Sequence, residues 1–300
     1  MTNFNVAGLQ MVLPNGDNRA AIAIEIANTM RRFPWVQMII LPELVTYGPD
    51  KKHAQFMPGE AERGYQELAF KHGIWLIPGS LYEQASDGIY NTTPVINPQG
   101  EVIARYRKIY PFQPYESGVL SGNQFVVFEV PDVGKFGVSI CYDMWFPETI
   151  RALVWQGAEV IVHPTMTGTI DRGRELVMAQ ANAIFNQCYF LDVNNAGDLG
   201  NGRSIYVGPE GDVLHQSAEQ TEVVPLTLDL DRVRETRRSG TLGLGQVLKS
   251  FRDTPLHYPC YNQSNGESAA LAGLGPLQMQ SRSSTLDTTQ PSGTQWPPQV

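Results

Sequence analysis

The chain has 300 residues, of which 42% are hydrophobic, and it carries a formal net charge of −8 with a pI near 5.2. This length is enough to bury a full hydrophobic core, and we expect one main domain. The acidic balance argues against a nucleic-acid partner, because basic residues form only short clusters such as Arg237-Arg238.

Membrane and disulfide-rich classes are also disfavoured. The chain contains no run of about 18 apolar residues, the length that a membrane-spanning helix needs, and its first residues lack the features of a signal peptide. Its cysteines, Cys141, Cys188 and Cys260, are widely spaced and include no Cys-x-x-Cys pair. We therefore expect a cytoplasmic protein without a membrane partner, a disulfide framework or a structural metal site.

Apolar β-rich segments alternate with helix-like segments from the start of the chain, which predicts the α/β class. The first predicted elements are a strand at 4–12, a helix at 18–32, a strand at 36–41, a helix at 61–71 and a strand at 74–77. Residues 82–108 then predict a meander of strands, and 125–130 with 135–140 predict a hairpin.

The second half predicts a helix at 147–156, a strand at 160–163, a helix at 174–186, and strands at 189–193, 204–207, 213–215 and 223–230. From residue 261 onward the composition shifts to Ser, Gln, Gly, Thr and Pro. Such a segment buries little core of its own. We therefore predict a main domain at 1–260 and a low-complexity tail at 261–300, either disordered or packed on a neighbouring subunit.

Cys141 is the candidate nucleophile, because it follows the apolar strand at 136–140 and precedes a sharp turn into a helix. At the carboxyl edge of a sheet, near the positive end of a helix dipole, a thiolate should be exposed and its pKa lowered. An unpaired cysteine is more often a small buried hydrophobic residue. The interpretation therefore depends on partners elsewhere in the chain.

Two charged residues occupy comparable positions at the ends of other predicted strands. Glu43 follows the strand at 36–41, and Lys108 follows the strand-like residues 101–105. If these strands lie side by side, a carboxylate base, a cation and the Cys141 thiol meet at one edge, as thiol attack on a carbonyl or nitrile carbon requires. Taken singly, Glu43 could begin a helix and Lys108 could be a solvated charge.

Three segments together resemble the motifs of the nitrilase superfamily of carbon–nitrogen hydrolases. They are Leu41-Pro-Glu43, Arg105-Tyr-Arg-Lys108, and Ile140-Cys-Tyr-Asp143 followed by Phe146-Pro-Glu148. They occur in the order that the superfamily shows. Non-catalytic landmarks such as Asn194-Asn-Ala-Gly197 extend the resemblance over most of residues 4–235.

The resemblance implies an α-β-β-α sandwich with an extended C-terminal tail. It implies that Glu43 is the general base, Lys108 the oxyanion stabiliser and Cys141 the nucleophile. A second glutamate that positions the substrate and the lysine is also implied, and Glu116 occupies its place. No metal or organic cofactor is implied. The resemblance further implies a homo-oligomer, a dimer or higher, whose subunits associate through helical faces.

Cys141-Tyr-Asp143 is similar to the amide-cleaving branches, whereas nitrilases tend to have Cys-Trp-Glu. This favours hydrolysis of a small aliphatic amide or N-carbamoyl compound through a Cys141 thioester, with release of ammonia. Nitrile hydrolysis is the alternative. Carbamoyl amino acid hydrolases often have arginines just after the cysteine, but this chain has Met144 and Trp145, which disfavours a free carboxylate on the substrate.

Four residues are candidates for the substrate pocket. Tyr142 and Trp145 follow the cysteine, and Thr165 and Met166 follow the next predicted strand and face the same edge. Met144 and Trp145 form either an apolar wall of the pocket or simple packing beneath the turn.

Two other classes of protein are alternatives to this interpretation. A papain-like protease needs a histidine beside Cys141, and His163 is the histidine at a suitable strand end. A non-catalytic binding or scaffold protein on the same fold is free to lose Glu43, Lys108 or Cys141, yet all are present. Gly240-Thr-Leu-Gly-Leu-Gly245 lacks dinucleotide-binding spacing and is predicted to be a loop.

Overall fold

The computed structural model describes residues 1–113, 115–258 and 261. Two units are distinguished along the chain. The first comprises Met1–Pro111 and Gly118–Leu256, and the second comprises Phe112–Ser117 and His257–Val300. Of the predicted tail, only Tyr261 lies within the described residues, so the boundary at residue 260 and the state of the tail stay predictions.

The described strands, in chain order, are β1 (Asn3–Gln10), β2 (Val12–Leu13), β3 (Met38–Ile40), β4 (Trp75–Ile77), β5 (Leu81–Gln84), β6 (Ile89–Ile96), β7 (Val102–Arg107), β8 (Val119–Leu120), β9 (Val126–Val130), β10 (Gly134–Val138), β11 (Val160–Thr165), β12 (Tyr189–Asn194), β13 (Ala196–Gly197), β14 (Ile205–Val207), β15 (Val213–Gln216) and β16 (Glu222–Asp229).

The described α-helices are α1 (Arg19–Arg32), α2 (Glu60–His72), α3 (Pro147–Trp155), α4 (Arg172–Asn186), α5 (Leu230–Ser239) and α6 (Val247–Asp253). Short 3₁₀ helices occupy Lys51–His53 and Cys141–Trp145. Within the described part of the chain, no helix has both the length and the apolarity needed to cross a membrane.

The strands form two large sheets. The first has eight strands in the order β16-β1-β3-β4-β6-β5, with β7 and β8 also paired with β6, and the second has six in the order β15-β14-β12-β11-β10-β9. Within the first sheet β1, β3 and β4 are parallel neighbours, and within the second β10, β11 and β12 are. The predicted hairpin is confirmed as the antiparallel pair of β9 and β10.

The two sheets pack face to face through one shared core. Val6 of β1, Met38 of β3, Val138 of β10 and Val162 of β11 belong to the same buried cluster. Because side chains alternate along a strand, the next residue in β3, Ile39, faces the opposite side. Both faces of the central strands are thus apolar, which explains their continuous hydrophobic sequence.

Helices cover the outer face of each sheet. Ile22 of α1 and Tyr65 of α2 pack in one cluster with Ile39 of the first sheet. Leu153 of α3 and Ala179 of α4 belong to another cluster, which includes residues of β11, β12 and β14. The first unit is therefore helix, sheet, sheet, helix, and the α-β-β-α sandwich implied by the resemblance is confirmed.

The strands before Glu43, Lys108 and Cys141 do not lie side by side, which corrects the arrangement assumed from the sequence. Glu43 follows β3 and Lys108 follows β7, which are separated by β4 and β6 in the first sheet. Cys141 follows β10 in the second sheet. Packing of one sheet on the other, rather than strand adjacency, brings these residues together.

Candidate active site

Cys141 begins a tight turn after β10. Its φ is +46°, in the left-handed region that residues with a side chain adopt rarely and that often marks functional sites. Cys141–Trp145 form a 3₁₀ turn, and α3 then begins at Pro147, a residue whose fixed φ suits the first helical position. The local chain direction therefore reverses sharply at the candidate nucleophile.

The Asp143 carboxylate anchors this turn. It accepts hydrogen bonds from the backbone N–H of Ile140 at 2.9 Å, the backbone N–H of Tyr110 at 3.0 Å and the hydroxyl of Tyr106 at 2.7 Å. Burial raises the pKa of Asp143 to about 6, although these hydrogen bonds and Lys108 favour its ionised form. Since Tyr106 and Tyr110 flank Lys108, these bonds tie the cysteine turn to the lysine segment.

Glu43 and Lys108 form a buried ion pair. Lys108 Nζ donates to Glu43 Oε1 at 2.8 Å, and the two side chains are only 1% and 3% exposed respectively. The Nδ2 atom of Asn91 in β6 donates to the same carboxylate oxygen at 2.8 Å. Burial of two charges is tolerated when they pair and when hydrogen bonds satisfy them further, as here.

The second sheet holds the backbone of Glu43. Its N–H donates to the carbonyl of Thr165 at 3.3 Å, and its carbonyl accepts from Asn195 Nδ2 at 2.6 Å. Leu44, the next residue, has a φ of +48°. Since Thr165 ends β11 and Asn195 follows β12, the carboxylate supplied by the first sheet is fixed to the second.

The Cys141 thiol is 6% exposed. Burial raises the pKa of Cys141 well above its usual range, Glu43 raises it further, and Lys108 and the backbone N–H of Met166 oppose the rise. The predicted exposed thiolate with a lowered pKa is therefore wrong, because desolvation and Glu43 outweigh the favourable effect of Lys108. The sulfur rests as a thiol, within electrostatic range of both Glu43 and Lys108.

A second set of buried polar side chains also reaches Cys141. Thr167 Oγ1 lies 3.8 Å from Cys141 Sγ and donates to Glu175 Oε1 at 2.9 Å. Arg172 Nη1 donates to Glu175 Oε2 at 3.1 Å and to Asp192 Oδ2 at 2.7 Å. We call Thr167, Arg172, Glu175 and Asp192 the α4 network, since α4 carries its arginine and one of its carboxylates.

Sequence reasoning missed the α4 network and the two asparagines, Asn91 and Asn195, that hold Glu43. A signal for part of it exists. Asp192 interrupts the otherwise apolar core of Tyr189–Asn194, and a charged residue in such a strand needs a buried partner. Nothing in the local sequence indicates that the partner is Arg172.

The predicted pocket residues after the cysteine lie in the 3₁₀ turn. Tyr142 and Trp145 are partly buried, with ring centroids 5.8 Å apart, and Tyr142 meets Phe146 edge-on at 5.3 Å. Phe146 stacks on Tyr110. Met144 instead lies in the apolar core beneath the turn. Trp145 contacts Tyr142 and also packs against the same apolar core that contains Met144.

Thr165 and Met166 lie where β11 ends. Thr165 is fully buried, and its carbonyl accepts the backbone N–H of Glu43. Met166 is partly buried and packs against the cluster formed by Leu44, Tyr82 and Val119. Both therefore adjoin the Glu43 segment.

Glu116 belongs to the second unit, in the segment Phe112–Ser117. Its carboxylate accepts the backbone N–H of Phe112 at 2.7 Å, and its own N–H donates to the carbonyl of Phe112 at 2.8 Å. These two bonds close a compact turn. The positioning role of Glu116 stays a prediction.

His163 is a fully buried residue of β11. Its Nδ1 lies 2.7 Å from Ser139 Oγ, and its ring packs against Phe190. Burial lowers the pKa of His163 to about 4, so the ring is neutral near pH 7. Its hydrogen bond to Ser139, and that of the Cys141 thiol to Thr167, give no support to a papain-like Cys–His pair.

Across the described ranges, no three or more His, Cys, Asp or Glu side chains are grouped so that they could hold a metal ion. Cys188 is a buried thiol whose pKa burial raises to about 12. Cys260 lies outside the described residues.

Comparison with known proteins identifies the family. Residues 7–238 match the family model described as carbon-nitrogen hydrolase. Omega-amidase NIT2 of Homo sapiens is 30% identical over 261 residues, which cover 79% of this chain and 93% of that protein. Omega-amidase NIT2 of Xenopus tropicalis is 32% identical over 220 residues, which cover 67% and 79%.

Solved structures share the fold. Nit3 of Saccharomyces cerevisiae, a member of branch 10 of the nitrilase superfamily, superposes with a TM-score of 0.74 at 26% identity, covering 81% of this chain and 96% of that one. The carbon-nitrogen hydrolase from Helicobacter pylori G27 gives a TM-score of 0.75 at 22% identity, covering 87% and 99%.

The family match spans most of the chain, and it is consistent with the sandwich fold. The predictions of the superfamily and of the enzyme class are both confirmed. The chain belongs to the carbon–nitrogen hydrolase family, within the nitrilase superfamily, and is a hydrolase of C–N bonds other than peptide bonds.

Proposed function

We propose that the protein is an amidase that cleaves a small amide through a thioester on Cys141 and releases ammonia. The observation that carries the proposal is the buried Glu43–Lys108 ion pair, at 2.8 Å, within electrostatic range of the buried Cys141 thiol. A carboxylate, a cation and a thiol are the groups that acyl transfer to sulfur requires.

The first half of the reaction forms the thioester. Because burial raises the pKa of Cys141, the sulfur needs a base as it attacks, and Glu43 takes its proton. A bond then forms between Sγ and the carbonyl carbon, and the carbonyl π electrons move to oxygen. Lys108 Nζ and the backbone N–H of Tyr142 stabilise that negative oxygen.

The second half releases both products. Glu43, now protonated, gives its proton to the leaving nitrogen as the C–N bond breaks and ammonia departs. Ionised again, Glu43 takes a proton from water while the water oxygen attacks the thioester carbon. The C–S bond breaks, a carboxylic acid leaves, and the proton on Glu43 returns to sulfur. Glu116 is proposed to position Lys108 and the substrate.

An amide fits the comparisons better than a nitrile. The relatives from Homo sapiens and Xenopus tropicalis are named as omega-amidases, which supports an amide substrate. An N-carbamoyl compound is the second amide-type candidate. Met144 is buried in the apolar core, which argues against its lining the pocket. The residues just after Cys141 include no cation that could bind a substrate carboxylate.

Tyr142, Trp145, Thr165 and Met166 are proposed to line the substrate pocket. The aromatic contacts of Tyr142 and Trp145 support an apolar or aromatic side group next to the amide, since such rings pack against apolar substituents. The adjacency of Thr165 and Met166 to the Glu43 segment supports their place in the same pocket.

We also propose a homo-oligomer and a cytoplasmic location. Large apolar side chains on the outer helices, Trp155 of α3 with Val177 and Phe185 of α4, are more than half exposed, which supports association of copies through this layer. A reducing compartment keeps the Cys141 thiol usable. Sedimentation velocity tests the oligomer: a monomer at micromolar concentration rejects it.

The experiment that tests the function measures ammonia release from amides, N-carbamoyl compounds and nitriles that share one side group. Cys141→Ala, whose fold is checked by circular dichroism, serves as the blank. We expect release from amides or carbamoyl compounds and none in the blank. Release mainly from nitriles supports the nitrilase alternative, and silence across the panel supports a non-catalytic binding protein.

A further inference from the structure

Cys141 has polar neighbours besides Glu43 and Lys108, and the proposed reaction does not use them. These neighbours form the α4 network, in which Thr167 lies nearest to the sulfur. Thr167 precedes α4, Arg172 and Glu175 lie in its first turn, and Asp192 lies in β12. Each of these side chains is buried, so water cannot replace their mutual contacts.

The hydroxyl of Thr167 has a fixed direction. It donates its single proton to Glu175 Oε1 at 2.9 Å. A hydroxyl has one donor and two acceptor lone pairs, so the oxygen is left to accept. Cys141 Sγ lies 3.8 Å from that oxygen, within hydrogen-bonding range for sulfur. Thr167 is thereby set to accept the S–H proton, an interaction that exists only while sulfur is a thiol.

The charge of the α4 network also favours the thiol over the thiolate. Arg172 Nη1 donates to two carboxyl groups, those of Glu175 and Asp192, and its other terminal nitrogen, Nη2, donates to the carbonyl of Arg203 at 2.7 Å. One cation therefore faces two carboxyl groups in a place where screening is weak. Burial raises the pKa of Glu175 against the effect of Arg172, and Asp192 adds to the rise.

Several charged or titratable groups besides the α4 network surround Cys141. Glu43 and Glu175 both raise the pKa of the thiol, whereas Lys108 and the Met166 N–H lower it. His163 is neutral near pH 7, since burial lowers its pKa to about 4. The pKa of the sulfur thus depends on opposing effects. Lys108 lowers it, and Glu43 and Glu175 raise it.

We propose that Thr167 and Glu175 are positioning residues that hold Cys141 as a resting thiol, so that sulfur ionises only when Glu43 takes its proton with substrate present. The proposal rests on the proposed function, because it assumes that Cys141 is the nucleophile. Its consequence is a sulfur protected from stray electrophiles and oxidants between turnovers, since the thiolate is the reactive form.

The test is the pH dependence of Cys141 alkylation by iodoacetamide, a neutral reagent that reacts with the thiolate. Peptide mass spectrometry distinguishes label on Cys141 from label on Cys188 or Cys260. Glu175→Gln removes the charge and keeps the shape, and Thr167→Val removes the hydroxyl and keeps the shape. We expect both variants to alkylate about tenfold faster near neutral pH, with the midpoint moved to lower pH.

Two controls separate this effect from a structural one. Thr167→Ser restores the hydroxyl and should restore the wild-type profile. Asp171→Asn removes a carboxylate next to α4 that bonds to Thr169 and Arg174 instead of the α4 network, and it should leave the profile unchanged. Thr167→Val also leaves the ion pairs of Arg172 in place, so it remains informative if Glu175→Gln fails to fold.

An unchanged alkylation profile in Thr167→Val overturns the proposal, as does an unchanged profile in a folded Glu175→Gln protein. An equal shift in Asp171→Asn overturns it too. Alkylation needs no substrate. A protein that hydrolyses no amide would therefore refute the proposed function, while these profiles would still report on the thiol.

Discussion

Two buried ion clusters contact or influence Cys141, and their charge balance differs. In the first, one carboxylate, Glu43, pairs with one ammonium, Lys108. In the α4 network, one guanidinium, Arg172, serves both Glu175 and Asp192. The balanced pair favours neither sign, whereas the α4 network has one carboxyl group more than it has cations.

The type of cation, lysine in one cluster and arginine in the other, fits a different function for each. A lysine ammonium is compact and its pKa shifts readily, which suits a site where the neighbouring carboxylate gains and loses a proton. An arginine stays charged and holds several acceptors in a fixed geometry. We infer that the Glu43–Lys108 pair serves chemistry and that Arg172 serves the fold.

The largest expected effect follows from removing both charges of the first cluster. In the double variant Glu43→Gln/Lys108→Met we expect amide turnover to fall by about 10,000-fold, since the proposed base and the proposed oxyanion stabiliser are both lost. We expect the free energy of unfolding to stay unchanged or to rise by about 1–4 kcal/mol, because neutral groups replace a buried ion pair. Ammonia release and urea unfolding measure the two quantities.

The single variant Glu43→Gln is the matched control for this prediction. It leaves the Lys108 ammonium buried without its carboxylate and should therefore be less stable than the double variant. A double variant that is much less stable than the wild type would show that the pair is structural, and the division between the clusters would fail.

The next effect concerns the free energy of unfolding. Arg172→Met leaves the carboxyl groups of Glu175 and Asp192 buried without a cation, and we expect a loss of about 3–5 kcal/mol in urea unfolding. Arg174→Met changes an arginine of the same helix that is 62% exposed, and we expect its effect to stay within about 0.5 kcal/mol. Equal stability of the two variants would assign no structural role to Arg172.

The smallest effect concerns pH. Burial lowers the pKa of His163 from 6.5 to about 4, so the unfolded chain binds this proton more readily than the folded one. The stability contributed by neutral His163 is fully present above pH 6.5 and is lost as the pH falls through about 4. The full loss of unfolding free energy, reached below about pH 4, amounts to about 3 kcal/mol.

His163→Asn should remove this loss and can keep a hydrogen bond to Ser139. The measurement is the change in unfolding free energy between neutral pH and about pH 4, compared between variant and wild type. Asp143, whose pKa burial raises to about 6, acts oppositely in part of this window in both proteins, so its effect cancels in the difference. An equal loss of unfolding free energy in both proteins would mean that His163 is not held in its neutral form by burial. Retained turnover in the variant would also reject a Cys–His pair.

Short-range sequence signals predicted where the candidate residues lie relative to the strands. Glu43, Lys108 and Cys141 each directly follow a strand or its immediate extension, and both the strand and its end are visible in a few consecutive residues. The order of strands in space was not predictable in this way. Assignment of β3 and β10 to different sheets depends on contacts between distant segments, and the two-sheet arrangement came only from the family resemblance.

The ionisation of Cys141 shows a similar limit. The strand, turn and helix around it predicted a lowered pKa, because those are local features that favour a thiolate. Its burial and the approach of Glu43 and Glu175 depend on residues distant in the sequence, and they reverse the direction. The link from Arg172 to Asp192 spans 20 residues and two elements. The sequence pattern shows both charged residues but does not indicate that they form an ion pair.

The backbone of Glu43 is bonded to Thr165 and Asn195, although the strand before it belongs to the other sheet. During folding, a chain that has completed one sheet alone therefore holds either the Glu43 carboxylate or the Cys141 thiol, and not both in contact range. If the proposed function holds, hydrolysis should therefore appear only once the two sheets have docked.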